Sequence, residues 1–140
     1  MTDSTHGVVT YKRIRERAMQ DAKDAAPALP TTNTVDAWQA FIDELEAMDS
    51  YEIGHQSAEW DWVIYHYRAM EVCQCVPSYT LHEAESRYED YGNGTPNGLF
   101  EYASTLALII VAQEISEAVD TLRDELLELA NNQLDNMESV

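Results

Sequence analysis

The stretch from Leu106 to Leu129 reads LALIIVAQEISEAVDTLRDELLEL, and its periodicity decides the fold class. Within it Leu108, Ala112, Ile115, Val119, Leu122, Leu126 and Leu129 recur at alternating four- and three-residue steps. That is the apolar seam of a long helix with a sustained heptad pattern. A second pattern is interleaved with the first. Glu117, Asp120, Asp124 and Glu128 also follow at three- and four-residue steps, flanked by Glu114 and Glu125. Such steps align side chains on one helix face, about 5–6 Å apart. One helix, expected over about 99–134, therefore carries both a packing seam and a ladder of carboxylates. The seam fits either the inside of this chain or a partner helix.

Upstream, Gly92-Asn93-Gly94-Thr95-Pro96-Asn97-Gly98 is the strongest turn signal in the chain. Thr80-Leu81-His82-Glu83 reads as a capping box that opens a short helix to about Tyr91, carrying Glu85, Glu89 and Asp90. Pro77 ends a helix expected to be capped by Ser57 and to run to about Val76, with Glu59 and Asp61 among its carboxylates. Gly54 reads as a stop or turn. Thr34 is the expected N-cap of a helix over about 35–49. Its apolar stripe is Val35, Trp38, Phe41, Ile42, Leu45 and Met48, and its other face carries Asp36, Asp43, Glu44, Glu46 and Asp49.

No segment alternates like a strand, so the chain is expected to be all-α: an acidic helical domain with a long C-terminal helix and a loose basic N-terminal extension. The extension covers 1–34 (tail, basic segment and a linker containing Pro27 and Pro30), and the acidic all-helical domain covers 35–140. Residues 11–25 read as a short basic helix, either flexible or folded back on the acidic body.

The charge is large and sorted. Twenty-six Asp and Glu stand against eight Lys and Arg, a formal net charge of −18. Five of the eight cations lie between Lys12 and Lys23; from Asp24 onward 23 carboxylates face only Arg68, Arg87 and Arg123. Solubility of a small domain asks for a net charge of only about 2–8, so the negative surface is expected to be the working surface. It repels nucleic acid and anionic lipid alike. No direct nucleic-acid or membrane partner is expected, and the partner implied is a basic protein surface built to grip DNA. An apolar content of 45%, with three Trp and eight Tyr, argues against disorder. The N-terminus lacks the apolar stretch of a signal peptide. The longest apolar run, Leu106 to Ala112, is seven residues, against roughly 18–20 needed to span a bilayer. A cytoplasmic location is expected.

Patterns that would carry catalysis or metal chemistry are weak. His66, Cys73, Cys75 and His82 form H-x6-C-x-C-x6-H, but cysteines two apart on a helix point to nearly opposite sides and do not converge on zinc. Glu52-Ile53-Gly54-His55 is a single E-x-x-H, whereas di-metal bundles need two. No P-loop, nucleophile elbow, H-E-x-x-H or EF-hand is present. The chain is read as a non-enzyme with no metal and no cofactor.

The acidic body resembles the Ocr-like family of phage antirestriction proteins over roughly 35–134. The likeness lies in the order of parts: a first acidic helix anchored by Trp38 and Phe41, then Ile64-Tyr65-His66-Tyr67-Arg68-Ala69-Met70 leading into Val76-Pro77-Ser78-Tyr79. A short helix, a loop ending at Thr95-Pro96 and a long terminal helix with an acidic outer face complete it. The basic extension and the lack of an Asp/Glu-rich tail depart from the family pattern. The resemblance implies a homodimeric inhibitor whose carboxylates imitate the phosphates of B-form DNA. Its partner would be the DNA groove of a type I restriction–modification enzyme or of a BREX defence component. It also implies a dimer contact near Ala84, Tyr88 and Tyr91. The competing reading is an acidic helical interaction or adaptor protein whose charge serves solubility or adaptation to high salt.

Overall fold

The computed structural model describes residues 9–66, 68–90 and 99–138, the side chains of 59–66, 89, 90, 99–101 and 138 excepted. Among the described residues the structure is all-α, with six helices and no strand. They are α1 (Tyr11–Ala25), α2 (Val35–Glu46), α3 (Ser50–His66), α4 (Ala69–Cys75), α5 (Ser78–Asp90) and α6 (Leu99–Glu138). At 1.5 Å per residue, the 40 residues of α6 extend about 60 Å. This helix is the axis of the molecule, and each of the other five packs against it.

The first half of α6 is apolar almost all round, as a helix covered on several sides must be. Leu106, Ala107, Ile109, Ile110, Val111, Ala112, Ile115 and Val119 are buried in one cluster with Ile14, Ala18 and Ala22 of α1, Ala58 of α3, Val72 of α4 and Ala84 of α5. The second half has a thinner cover. There Trp38, Phe41, Ile42 and Leu45 of α2 close over Ala130, with Leu126, Leu127, Leu134 and Met137 half-buried around them. Trp38 also donates from Nε1 to Asn33 Oδ1 at 2.8 Å, which fixes the entry into α2.

The heptad seam is therefore internal at its start. Ala112, Ile115 and Val119 are fully buried, Leu122 and Leu126 are half-buried, and Leu129 is 39% exposed. A straight helix drifts about 20° per heptad against a strict seven-residue repeat. By the third repeat Leu129 has turned outward and Ala130 faces in. By length and composition, Tyr102–Met137 would suffice to cross a membrane, although its continuous apolar run is short; 67% of the most apolar window is buried within the fold.

Several local expectations need correction. Residues 11–25 are helical as read and, of the flexible and folded-back arrangements, take the folded-back one, so this part of the extension is not loose: Ile14, Ala18 and Ala22 enter the core. Thr10 caps α1, its side chain accepting from Arg13 N–H at 3.1 Å. Thr34 caps α2 as expected, accepting from Ala37 N–H at 3.2 Å, but α2 ends at Glu46. Asp49 belongs to the start of α3, where its Oδ1 accepts from Glu52 N–H at 3.1 Å. Gly54 does not stop a helix; it lies inside α3, where a Cβ would sit 2.5 Å from Ala112 O and closer still to Ser116 Oγ. The glycine permits a close α3–α6 crossing, which Ser116 reinforces by donating from Oγ to Ser50 O at 2.8 Å. The helix expected over 57–76 is two helices, with Arg68 at φ −124°, ψ 27° opening α4. Thr80 is not a cap: α5 starts at Ser78, and Thr80 is buried within it.

Candidate protein-binding acidic surface

The carboxylates of α2 and α6 divide by what lies over them. On α2, Trp38, Phe41, Ile42 and Leu45 face α6, whereas Val35 of the expected stripe is exposed; Asp36, Asp43, Glu44 and Glu46 face solvent. Asp43 is steadied by Gln39, which donates from Nε2 at 3.3 Å. On α6, Glu117, Asp124, Glu125 and Glu128 are exposed, at positions away from the buried Val119 and Ala130. Asp120 is half-exposed and accepts from Arg123 Nη2 at 2.8 Å. The same guanidinium donates through Nη1 to Met48 O at 3.0 Å. Arg123 thus ties the carboxylate row to the α2–α3 junction, at the cost of neutralising one of its members.

Glu114 does not belong to the exposed row. It is 6% exposed, lies under α1, and accepts from Tyr11 Oη at 3.1 Å. Arg15 Nε lies 4.0 Å from its other oxygen. Burial pushes the Glu114 carboxyl above its ordinary value, with the Tyr11 hydrogen bond opposing. Burial first, then the neighbouring Glu114 charge, push the Tyr11 hydroxyl up to about 12. Through its bond to Glu114 the Tyr11 side chain fastens α1 to α6. The sequence patterns did not single out Tyr11; the signal available was an aromatic at the first position after Thr10.

Among the remaining expected site residues, Asp49 is exposed but engaged as a cap. Glu85 is exposed and accepts from Tyr102 Oη at 3.2 Å. Glu59 and Asp61 lie in α3, and Glu89 and Asp90 in α5, with side chains outside those described. The suggested dimer contact is corrected at one position: Ala84 is fully buried in its own chain and is unavailable to a partner. Tyr88 is half-buried and packs edge-on against Tyr102, ring centroids 4.9 Å apart. Tyr91 lies outside the described residues.

The cysteines are free thiols with local roles. Cys73 points its Sγ at Ala103 O and Cys75 at Val72 O. Burial, then Cys75 and Glu85, push the Cys73 thiol up to about 11, and burial raises that of Cys75. Thiols held protonated are poor nucleophiles. Among the described residues no three His, Cys, Asp or Glu side chains group as metal ligands. Two clefts flank the α6 ladder. One, of about 500 Å³, lies between α1 and α6; the other, of about 220 Å³, lies between α3, α5 and α6. Glu117 lines both, standing on the ridge between them. Comparison with family models, with curated proteins and with solved structures finds no match.

Proposed function

We propose that this protein is an inhibitor that imitates the phosphate backbone of DNA and occupies the DNA-binding groove of a defence enzyme, such as a type I restriction–modification enzyme or a BREX component. The observation that carries the reading is the row of carboxylates along a helix held rigid by two cores. From Glu117 to Asp135, 18 positions apart, α6 advances about 27 Å. Glu117, Asp120, Asp124, Glu125, Glu128 and Asp135 fall in that interval, roughly one per 5 Å at that helical rise. One strand of duplex DNA carries a phosphate per about 3.4 Å of axis. The helix supplies charge at a comparable linear density, and the exposed face of α2 adds a second row.

When a polyanion docks in a groove lined by Lys and Arg, the cations gathered around its negative charges are released, and that release favours binding. A helix already packed into a folded domain gains this without the deformation of a duplex, which costs about 1–6 kcal/mol for a strong bend. The basic α1 sets a boundary, because the carboxylate beneath it, Glu114, is withdrawn from the surface. The adaptor reading would use the heptad seam to bind another helix. Burial of Ala112, Ile115 and Val119 leaves the first half of that seam unavailable, which favours the charge-based reading.

The direct test is DNA cleavage by a purified type I restriction–modification enzyme with increasing amounts of this protein. Inhibition that is relieved by excess non-substrate duplex supports competition for the groove. Inhibition unaffected by duplex, or none at any concentration, rules the proposal out for that enzyme class.

A further inference from the structure

The exposed carboxylates are not equivalent, because one of them stands beside an aromatic ring and a cleft. Tyr51, in the first turn of α3, is 60% exposed, and its ring lies against His55 at 4.2 Å between centroids, tilted by 40°. An exposed ring contributes little to the core, and imitation of phosphates does not require one. Tyr51 and His55 form one wall of the cleft between α3, α5 and α6; Glu83, Glu117 and Asp120 contribute carboxylates from the other two helices. Two of the three have cations of their own: Arg87 pairs with Glu83 at 3.3 Å and Arg123 with Asp120 at 2.8 Å. Glu117 has no hydrogen bond or ion pair among the described residues. The cleft lining is therefore left with net negative charge, at the foot of the exposed row.

The size of the cleft limits what it takes. At about 220 Å³ it falls below the roughly 300–1,000 Å³ of small-molecule and cofactor sites. It suits one long side chain. An aromatic face beside a free carboxylate is the environment that favours a guanidinium, which stacks on the ring through its flat face and bonds the carboxylate through its edge. An ammonium is a point charge with stronger hydration and gains less from the ring.

We infer that this cleft is an arginine-binding pocket, the place where a basic partner surface inserts one guanidinium between Tyr51 and Glu117. The inference rests on the proposed reading that the partner is a basic protein surface, and it adds a point of side-chain selectivity to a surface otherwise governed by charge. Partners that present arginine at this position are held more tightly than partners of equal charge that present lysine.

The test compares octa-arginine and octa-lysine peptides, fluorescently labelled, binding to the full chain by anisotropy at low and moderate salt. The wild type is expected to prefer octa-arginine by about tenfold, within the range of one desolvated cation–π contact. Tyr51→Ala should erase the preference by weakening octa-arginine alone, and Tyr51→Phe should keep it. Glu117→Gln should lower octa-arginine binding more than Glu128→Gln does. Since Tyr51 and Glu117 are exposed, these variants leave the core intact. A preference that survives Tyr51→Ala, or equal affinity of both peptides for the wild type, overturns the arginine pocket and leaves the DNA-mimic reading standing. Failure of both peptides to bind, or binding indifferent to salt, overturns the two together.

Discussion

The two halves of α6 use the same residue types for opposite ends. In the first half, four helices cover the axis, and Glu114, beneath α1, is buried and fastened by Tyr11. In the second half, among the described residues, α2 alone forms a buried cluster with the helix, and Asp124, Glu125 and Glu128 stand in solvent. Ladder spacing alone does not distinguish Glu114 from Glu125; what differs is the neighbour. A surface of like charges repels itself, and here the charged half of the helix is held by α2, whose Trp38, Phe41, Ile42 and Leu45 close over Ala130.

The largest expected effects come from breaking each half separately. Ile115→Ala, at a fully buried position in the thick half, should cost about 2–5 kcal/mol by the usual cavity penalty. Chemical denaturation should show it as global loss. Leu45→Ala, equally buried but on α2, should have a similar local cost yet loosen α2 and residues 126–138 first. Hydrogen exchange should then show protection of 106–119 unchanged, since regions with few buried contacts open independently. Equal loss of protection in both halves would erase the distinction between them. Gly54→Ala forces α3 away from Ala112 and Ser116, and overpacking of this kind typically costs about 1–3 kcal/mol.

Smaller effects separate charge from packing. Asp124→Asn, Glu125→Gln and Glu128→Gln combined should leave thermal stability unchanged or slightly raised, because like charges at helical spacing destabilise by a few tenths of a kcal/mol per pair. Partner affinity should fall, each change costing about 0.2–1 kcal/mol as exposed ion pairs do. Stability lost with affinity retained would invert the assignment. The subtlest test is Glu114→Gln. Because burial raises the Glu114 carboxyl in the folded state, the native chain holds that proton to higher pH than the unfolded chain does. Its contribution to stability is therefore lost as pH rises through the window just above the ordinary Glu value. The variant should lack this fall, so wild-type minus variant stability, followed by urea titration across that window, should decline with pH. A flat difference would mean that Glu114 is not buried under α1.

Much of the helical layout was legible in the sequence, the division of α6 was not, and the failures have physical causes. The 3.6-residue periodicity of α2 and α6, the cap at Thr34 and the stop after Val76 depend on local patterns, and local patterns are what a sequence displays. Docking of α1 was not readable as a certainty, because Ile14, Ala18 and Ala22 make a narrow stripe among five cations. Whether such a helix lies free or docks depends on a distant surface with matching small residues. Gly54 misled because a glycine inside a helix looks like a terminator until the second helix crossing over it is known. Glu114 was indistinguishable from its ladder neighbours for the same reason, and so was the cleft beside Tyr51. Both arise where segments far apart in sequence meet.

The measurement that bears most directly on the central claim is the salt dependence of binding to a purified type I restriction–modification enzyme. The slope of log affinity against log salt concentration should be steep and negative, as it is for DNA itself. It should become shallower when Asp124, Glu125 and Glu128 are neutralised together, and remain unchanged when Glu114 is. A flat salt dependence for the wild type, with tight binding retained, would contradict an account in which this surface works by imitating phosphates.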